Sequence, residues 1–325
     1  MTASGDTGAD MAKMSDAAIT MLALQNAQTI LRGGVTSVRD CGGKDYLEFA
    51  VRDALNARKF MGPTIHAVGK MICMTGGHGN RIGRIADGVQ EVVKAVREQI
   101  HAGCDCIKIM ATGGVGTPGV NPEDAHYTAE EMASGSHEAH RFHKHTASHA
   151  QGRDGILNAV RGGIDSIEHG IFMDDRCVSE MKENGTWLVP RHILENGDAV
   201  PDYVIQKTTR VSKHHLASIK MYAEAGGKMA MGTDTGTPFN VHGTNAMELA
   251  YMVEAGVAPL VALQAATGNA ADLVRDPERG RIKEGLYADI LIVNGDPTSD
   301  INMVADKSNH RAVLKYGELA AGSLG

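Results

Sequence analysis

Residues 228–238 read KMAMGTDTGTP, a short apolar run, a turn rich in Gly and Thr with Asp234 at its centre, and then Pro238. An apolar run of this length bounded by Gly reads as a buried strand. An aspartate at the carboxyl end of such a strand stands where barrel enzymes keep their chemistry. Three other stretches share the layout: CIKIMATGG (106–114) with Lys108, TASHAQG (146–152) with His149, and SIEHG (166–170) with His169. Each is a strand-like run that carries a metal-binding or ionisable side chain near its end. The four residues are expected to converge on one metal site.

Outward from these runs, strands alternate with helices. Ser15 can cap a helix over 16–32 that Gly33 and Gly34 stop. GVTSVRDCGG follows as a strand, residues 45–60 as a helix, and PTIHAVGKMICMTGGHG (63–79) as one strand with a Gly-rich exit. Val89, Val92, Val93, Val96 and Ile100 recur at three-four spacing, so 86–103 reads as an amphipathic helix. Thr128 and Glu131 make a capping box for the next helix. Continuing in this way gives seven strands between Gly33 and Val274, each followed by a helix. Strict alternation implies a parallel sheet with right-handed crossovers. The fold class is therefore α/β, a (β/α)8 TIM-like barrel. An open doubly wound sheet is the alternative, but no GxGxxG follows a first strand, and the chemistry is spread over several strands. The opening helix has no strand ahead of it, so the first barrel strand is expected to be missing from this chain.

After Val274 the pattern changes. RGRIKEGLYADILIVNGDP and HRAVLKYGELA are two β-rich stretches. Two or three strands do not make a stable sandwich alone. The reading is a barrel over 1–275 and the C-terminal part of a small β-sandwich domain over 276–325, with a disordered tail AAGSLG.

Composition narrows the partners. The chain has 325 residues and a net charge of −7, with no long basic block, which disfavours nucleic acid and anionic membranes. One Trp and five Phe leave the core to Ala, Val, Ile, Leu and 17 Met. The five cysteines (Cys41, Cys73, Cys104, Cys106, Cys177) are scattered and lack a zinc-knuckle spacing, so they read as reduced thiols in a cytoplasmic protein. No run approaches a membrane span, and MTASGDTGADMAK has no apolar core of a signal peptide. The histidine-rich HEAHRFHKH (137–145) reads as a solvated helix face through His137, His140 and His143.

Divalent ions such as zinc take imidazole nitrogen and carboxylate oxygen, which suits His149, His169 and Asp234. Lys108 is odd in that company, because an ammonium repels a cation. Carboxylation by CO2 would turn it into an anionic, bidentate ligand, a covalent change no sequence displays.

These motifs, with GVTSVRD, MTGGHG, ALQAATGNAADL and GRIKEGLYADILIVNGDP, resemble the metal-dependent amidohydrolase superfamily, in its imidazolonepropionase-like and prolidase-like (Xaa-Pro dipeptidase-like) branch. The resemblance covers residues from about Gly33 to Pro297. It implies a binuclear metal centre, with Lys108 the carboxylated bridging ligand and His149 and His169 the ligands of one ion. Asp234 would be a ligand of the other ion and the base that takes a proton from metal-activated hydroxide. Loops after the strands would supply substrate contacts: His78 in MTGGHG, Arg191, His192, and His242 in VHGTN.

The family's first strand carries an HxH pair of metal ligands, and the resemblance here begins just past it. One or two divalent ions are therefore expected. The expected substrate is a small amide: a dipeptide such as Xaa-Pro or Xaa-Arg, or an N-acyl amino acid. Two alternatives stand beside it: a cyclic-amide hydrolase of the imidazolonepropionase type, and an inactive truncated barrel that serves as a scaffold. A homo-oligomer is expected.

Overall fold

The structure, a computed structural model, describes residues 1–3, 13–191, 202–237 and 240–325. In chain order its first elements are α1 (Asp16–Arg32), β1 (Ser37–Asp40), α2 (Leu47–Asn56) and β2 (Thr64–Ala67). Then come β3 (Ile72–Cys73), β4 (Arg84–Ile85), α3 (Gly88–Ala102), β5 (Cys106–Met110), α4 (Ala129–Arg141), β6 (His145–Ala150) and α5 (Arg153–Arg161). β7 (Ser166–His169), α6 (Asp175–Asn184), β8 (Trp187–Val189) and α7 (Asp202–Glu224) follow. The C-terminal part holds α8 (Glu248–Glu254), α9 (Pro259–Ala266), α10 (Gly268–Leu273), β9 (Ile290–Val293), α11 (Asn302–Ala305), β10 (His310–Lys315) and β11 (Glu318–Gly322). The chain divides into two compact units, Val68–Gly232 and Met1–Ala67 with Thr233–Gly325. This division differs from the expected boundary at 275/276, because residues 276–325 cluster with residues 1–67.

Val68–Gly232 is built on a six-stranded parallel sheet in the order β4-β3-β5-β6-β7-β8. Every residue of β5, β6 and β7 is buried, as a parallel sheet covered on both faces requires. The helix starts obey the local rules. In α4 the Thr128 hydroxyl accepts from the Glu131 amide at 3.2 Å, and Glu131 Oε2 accepts from the Thr128 amide at 2.8 Å. Helix α3 buries Val92, Ala95, Val96 and Gln99. That face is turned slightly from the expected valine stripe, because Gln99 is held inside by the Lys70 amide donating to its Oε1 at 3.0 Å. Gly135 lets α4 approach the sheet: a Cβ there would lie 2.6 Å from Ile109 Cδ1.

Two expectations are modified. PTIHAVGKMICMTGGHG is two strands, β2 and β3, broken near Gly69 with its positive φ of 81°. KMAMGTD is extended but pairs through a single bridge, Leu188↔Met229. Around that bridge the Leu188 amide donates to the Lys228 carbonyl at 2.9 Å and the Ala230 amide to Leu188 at 3.0 Å.

In the other unit β1 and β2 pair in parallel. Helix α1 starts at Ser15, whose Oγ accepts from the Ala18 amide at 3.3 Å. The C-terminal strands form an antiparallel sheet in the order β11-β10-β9, which is the expected β-domain piece. Tyr316 (φ 56°) and Gly317 (φ 82°) are both left-handed, the conformation a two-residue hairpin turn demands. Ala320–Gly322 of the supposedly disordered tail belong to β11.

Lys315 answers what these strands lean on. It is fully buried. Its Nζ donates to the Thr36 carbonyl at 2.9 Å, to Thr64 Oγ1 at 2.8 Å and to Asp289 Oδ2 at 2.5 Å. Asp289 also accepts from Arg279 Nε at 3.2 Å, and Arg279 Nη1 reaches Asp276 at 2.8 Å. The network joins β10 to the entries of β1 and β2.

Glu48 on α2 is buried, and neither carboxyl oxygen has a hydrogen-bond partner. Burial, and after it the charge of Asp40, pushes its carboxyl up to about 8. A carboxyl raised on folding lends stability that is full below its unfolded pKa of about 4.5. That stability is lost as pH rises through about 8. Glu48→Gln should therefore change the melting midpoint little at acid pH. At pH above 8 the variant should melt higher than the parent, by about 5 °C or more. Parallel melting curves at both pH values would refute the assignment.

Candidate active site

Lys108, His149 and His169 lie on three neighbouring strands and are 6%, 3% and 6% exposed. Register explains how two of them share a face. Lys108 is opposite Ala147, and His149 is opposite Met110. Paired residues in a parallel sheet point the same way, and alternate residues along a strand share a face. Lys108 and His149 therefore face one side, with Ser166 and Glu168 of β7; the Ser166 hydroxyl donates to Glu168 at 2.8 Å on that side.

His169 breaks the alternation. It pairs with Ala150, so a regular pleat would aim it away from His149. Instead it has φ 72°, and its ring lies edge-on to His149 with centroids 4.7 Å apart. A left-handed residue other than Gly costs roughly 1–2 kcal/mol, and such strain gathers where function requires it.

The His78 ring stacks on the other side of His149, at 4.3 Å between centroids. Its Nδ1 shares a 2.6 Å hydrogen bond with Thr117 Oγ1. Burial, then the charge of Lys108, brings His78 down to about 4. His149 and His169 are held well below the ordinary histidine range. For both, burial is the first cause; the neighbouring basic groups follow, His78 and Lys108 for one, His149 and Arg191 for the other. The imidazoles are thus neutral near pH 7 and keep a lone pair each. The Gly113 carbonyl takes a 2.9 Å hydrogen bond from His149 Nε2, which leaves Nδ1 as the lone-pair nitrogen. His169 Nδ1 is buried without a hydrogen-bond partner.

Neutral donors aimed inward, one of them orphaned, fit a divalent ion. Among the described residues no three His, Cys, Asp or Glu side chains converge closely enough to hold an ion by themselves. Lys108 is a further ionisable side chain on the His149 face of the sheet.

The remaining expected site residues fall differently. Arg191 is half-buried and its charge is felt by His78, His149 and His169. His192 lies outside the described residues. Asp234 belongs to the other unit; it is exposed and left-handed, φ 53°. Its backbone carbonyl accepts from Thr237 Oγ1 at 2.9 Å. His242, expected on a substrate loop, is buried, and its Nε2 makes a 2.7 Å hydrogen bond with the Ala3 carbonyl.

The histidine-rich segment is not one helix face. Helix α4 ends at Arg141, His140 pairs with Asp165 at 2.8 Å, and His145 is the first residue of β6. The HxH formed by His143 and His145 sits at the opposite end of that strand from His149. Sequence reading missed His126, which is buried with neither ring nitrogen hydrogen-bonded and contributes to the lowering of His78. It also missed Asn245, whose side chain bonds the threonines on either side of Asp234.

Comparison with known proteins agrees with this architecture. A model of the amidohydrolase family matches residues 6–320. The ochratoxinase of Aspergillus niger is 32% identical over 326 aligned positions, which cover 90% of this chain. The chain spans 66% of the length of that relative. A solved Xaa-Pro dipeptidase with methionine in its active site superposes with a TM-score of 0.84 at 35% identity, covering 93% of this chain and 79% of that one. A prolidase complexed with N-methylphosphonate-L-proline gives 0.88 at 30% identity, covering 98% and 83%.

The chain belongs to the amidohydrolase family, in its prolidase-like branch. Its fold class is that family's, α/β of the TIM-like barrel kind. The family is generally metal-dependent. No helix among the described residues is long and apolar enough to cross a membrane.

Proposed function

We propose that this chain is a metal-dependent hydrolase of amide bonds in small substrates, a dipeptide of the Xaa-Pro or Xaa-Arg kind or an N-acyl amino acid. The observation that carries the reading is the row of neutral, buried imidazoles at His149 and His169 on the strands beside Lys108. A divalent ion bound there, zinc in this reading, would supply a Lewis acid and lower the pKa of water to about 7. His149 and His169 would hold it, and Lys108, carboxylated, would be the anionic ligand that balances its charge.

Asp234 is the proposed general base and acid. It takes the proton from water as the oxygen bonds to the scissile carbon, then gives it to the leaving nitrogen as the C–N bond breaks. His78 and Arg191 would receive the substrate's carboxylate, Arg191 as the standing cation. His242 is left to the fold, since its Nε2 is engaged by Ala3.

The proposed setting is the cytoplasm, as a homo-oligomer without nucleic-acid or membrane partners. Five scattered cysteines and a net charge of −7 support the cytoplasm and the absence of nucleic-acid partners.

Metal analysis and a substrate panel test the reading together. Purified protein should carry about one divalent ion per chain or more, and chelation should remove turnover. The panel holds Xaa-Pro, Xaa-Arg, N-acyl amino acids, ochratoxin and imidazolone propionate. Turnover of the last alone would replace the reading by the cyclic-amide one. Neither metal nor turnover would leave the scaffold reading.

A further inference from the structure

Asp234 sits between two threonines that one side chain holds. Asn245 is 5% exposed. Its Nδ2 donates to Thr233 Oγ1 at 3.0 Å and to Thr235 Oγ1 at 3.1 Å. Its Oδ1 accepts from the Gly243 amide at 3.0 Å. A primary amide is the neutral side-chain group that offers two donors on one atom and an acceptor beside it, and Asn245 uses all three functions. The two hydroxyls come within 3.5 Å of each other, so the residues before and after Asp234 are gathered onto one nitrogen.

Asn240 adds two ties to the described residues of the turn. Asn240 Nδ2 donates to the Thr233 carbonyl at 2.6 Å, and the Gly236 amide donates to the Asn240 carbonyl at 2.8 Å. Asn245 itself opens the single helical turn Asn245–Met247 that runs into α8. It is thus anchored on regular structure, while the residue it frames is left-handed. A change of Asp234 towards extended backbone would shift Thr233 relative to Thr235 and so disturb the bonds both share with the amide.

We propose that Asn245 is the positioning residue for Asp234, holding the carboxylate at its working orientation through the hydroxyls of Thr233 and Thr235. The inference rests on Asp234 acting as the proton carrier. A residue that merely capped the Gly243 turn would not need both hydroxyls.

The test uses the full chain, loaded with zinc for kinetics and metal-free for exchange. Asn245→Leu removes all three polar functions at similar volume. Thr233→Val with Thr235→Val removes only the hydroxyls and keeps the branched shape. Asn245→Asp keeps an acceptor for Gly243 and lets both hydroxyls donate to it.

Hydrogen–deuterium exchange across 229–240 should quicken about tenfold in the leucine and the double-valine variants and stay near the parent in the aspartate one, while exchange in β5–β7 is unchanged. On the amide turned over best in the panel, the first two should lose about ten- to a hundredfold in kcat, with KM within about threefold.

Unchanged exchange in the double-valine variant would overturn the tether. Full turnover in Asn245→Leu, in an enzyme that Asp234→Asn inactivates, would overturn this inference alone. Full turnover in Asp234→Asn would overturn the catalytic reading of Asp234 and this inference with it.

Discussion

Asp234→Asn is expected to lower kcat about a thousandfold while zinc stays bound and KM moves little. Asparagine has nearly the shape of aspartate but cannot accept a proton at neutral pH. General acid–base catalysis contributes about 10²–10⁴-fold, so losing both proton transfers should take most of the rate, about 4 kcal/mol of barrier. Metal should survive because His149, His169 and Lys108 are untouched and lie in the other compact unit. Steady-state kinetics with metal analysis of the same sample is the measurement. A kcat within tenfold of the parent would remove Asp234 from the proton path. Metal lost along with activity would assign it to coordination alone.

Asp289→Ala is expected to cost about 3–5 kcal/mol of stability, since it strands the ammonium of Lys315 inside the fold. Lys315 is fully buried and the Asp289 side chain is 3% exposed. The neutral acceptors at Thr36 and Thr64 cannot replace a counter-charge. For a chain of this size the melting midpoint should fall by about 10 °C. The paired change Lys315→Met with Asp289→Leu removes both charges and should recover most of the loss, because well-packed apolar pairs often match buried ion pairs. A single variant that melts within about 2 °C of the parent would show that water reaches the lysine.

What could be read from the chain alone follows from how local each cue is. CIKIMATGG, TASHAQG and SIEHG announce buried strands because their apolar runs and closing glycines are contiguous. Their helices announce themselves through caps such as Thr128 with Glu131. Lys108 and His149 then share a face by simple alternation. His169 does not: counting by twos sends it to the far face, and only its left-handed backbone returns it, which no periodicity encodes.

Lys315 was equally hidden. In HRAVLK it looks like one more solvated charge, and its partners Thr64 and Thr36 are 251 and 279 residues away. VHGTN has the look of a substrate loop, and its burial was not legible there: His242 is buried with Nε2 sharing a hydrogen bond with the Ala3 carbonyl. KMAMGTD pointed to the right neighbourhood but overstated the ladder, since hydrogen bonds to β8 close at one bridge.

The positive φ shared by His169 and Asp234 puts two pressures at odds. Glycine would adopt either conformation without the strain of a Cβ, so a screen for heat resistance alone should drift toward glycine at exposed Asp234, while at buried His169 the cavity left by the imidazole opposes that drift. A screen for turnover should never accept it. Durability and activity therefore pull apart at Asp234, and a hardened variant should seek its gains elsewhere in the chain.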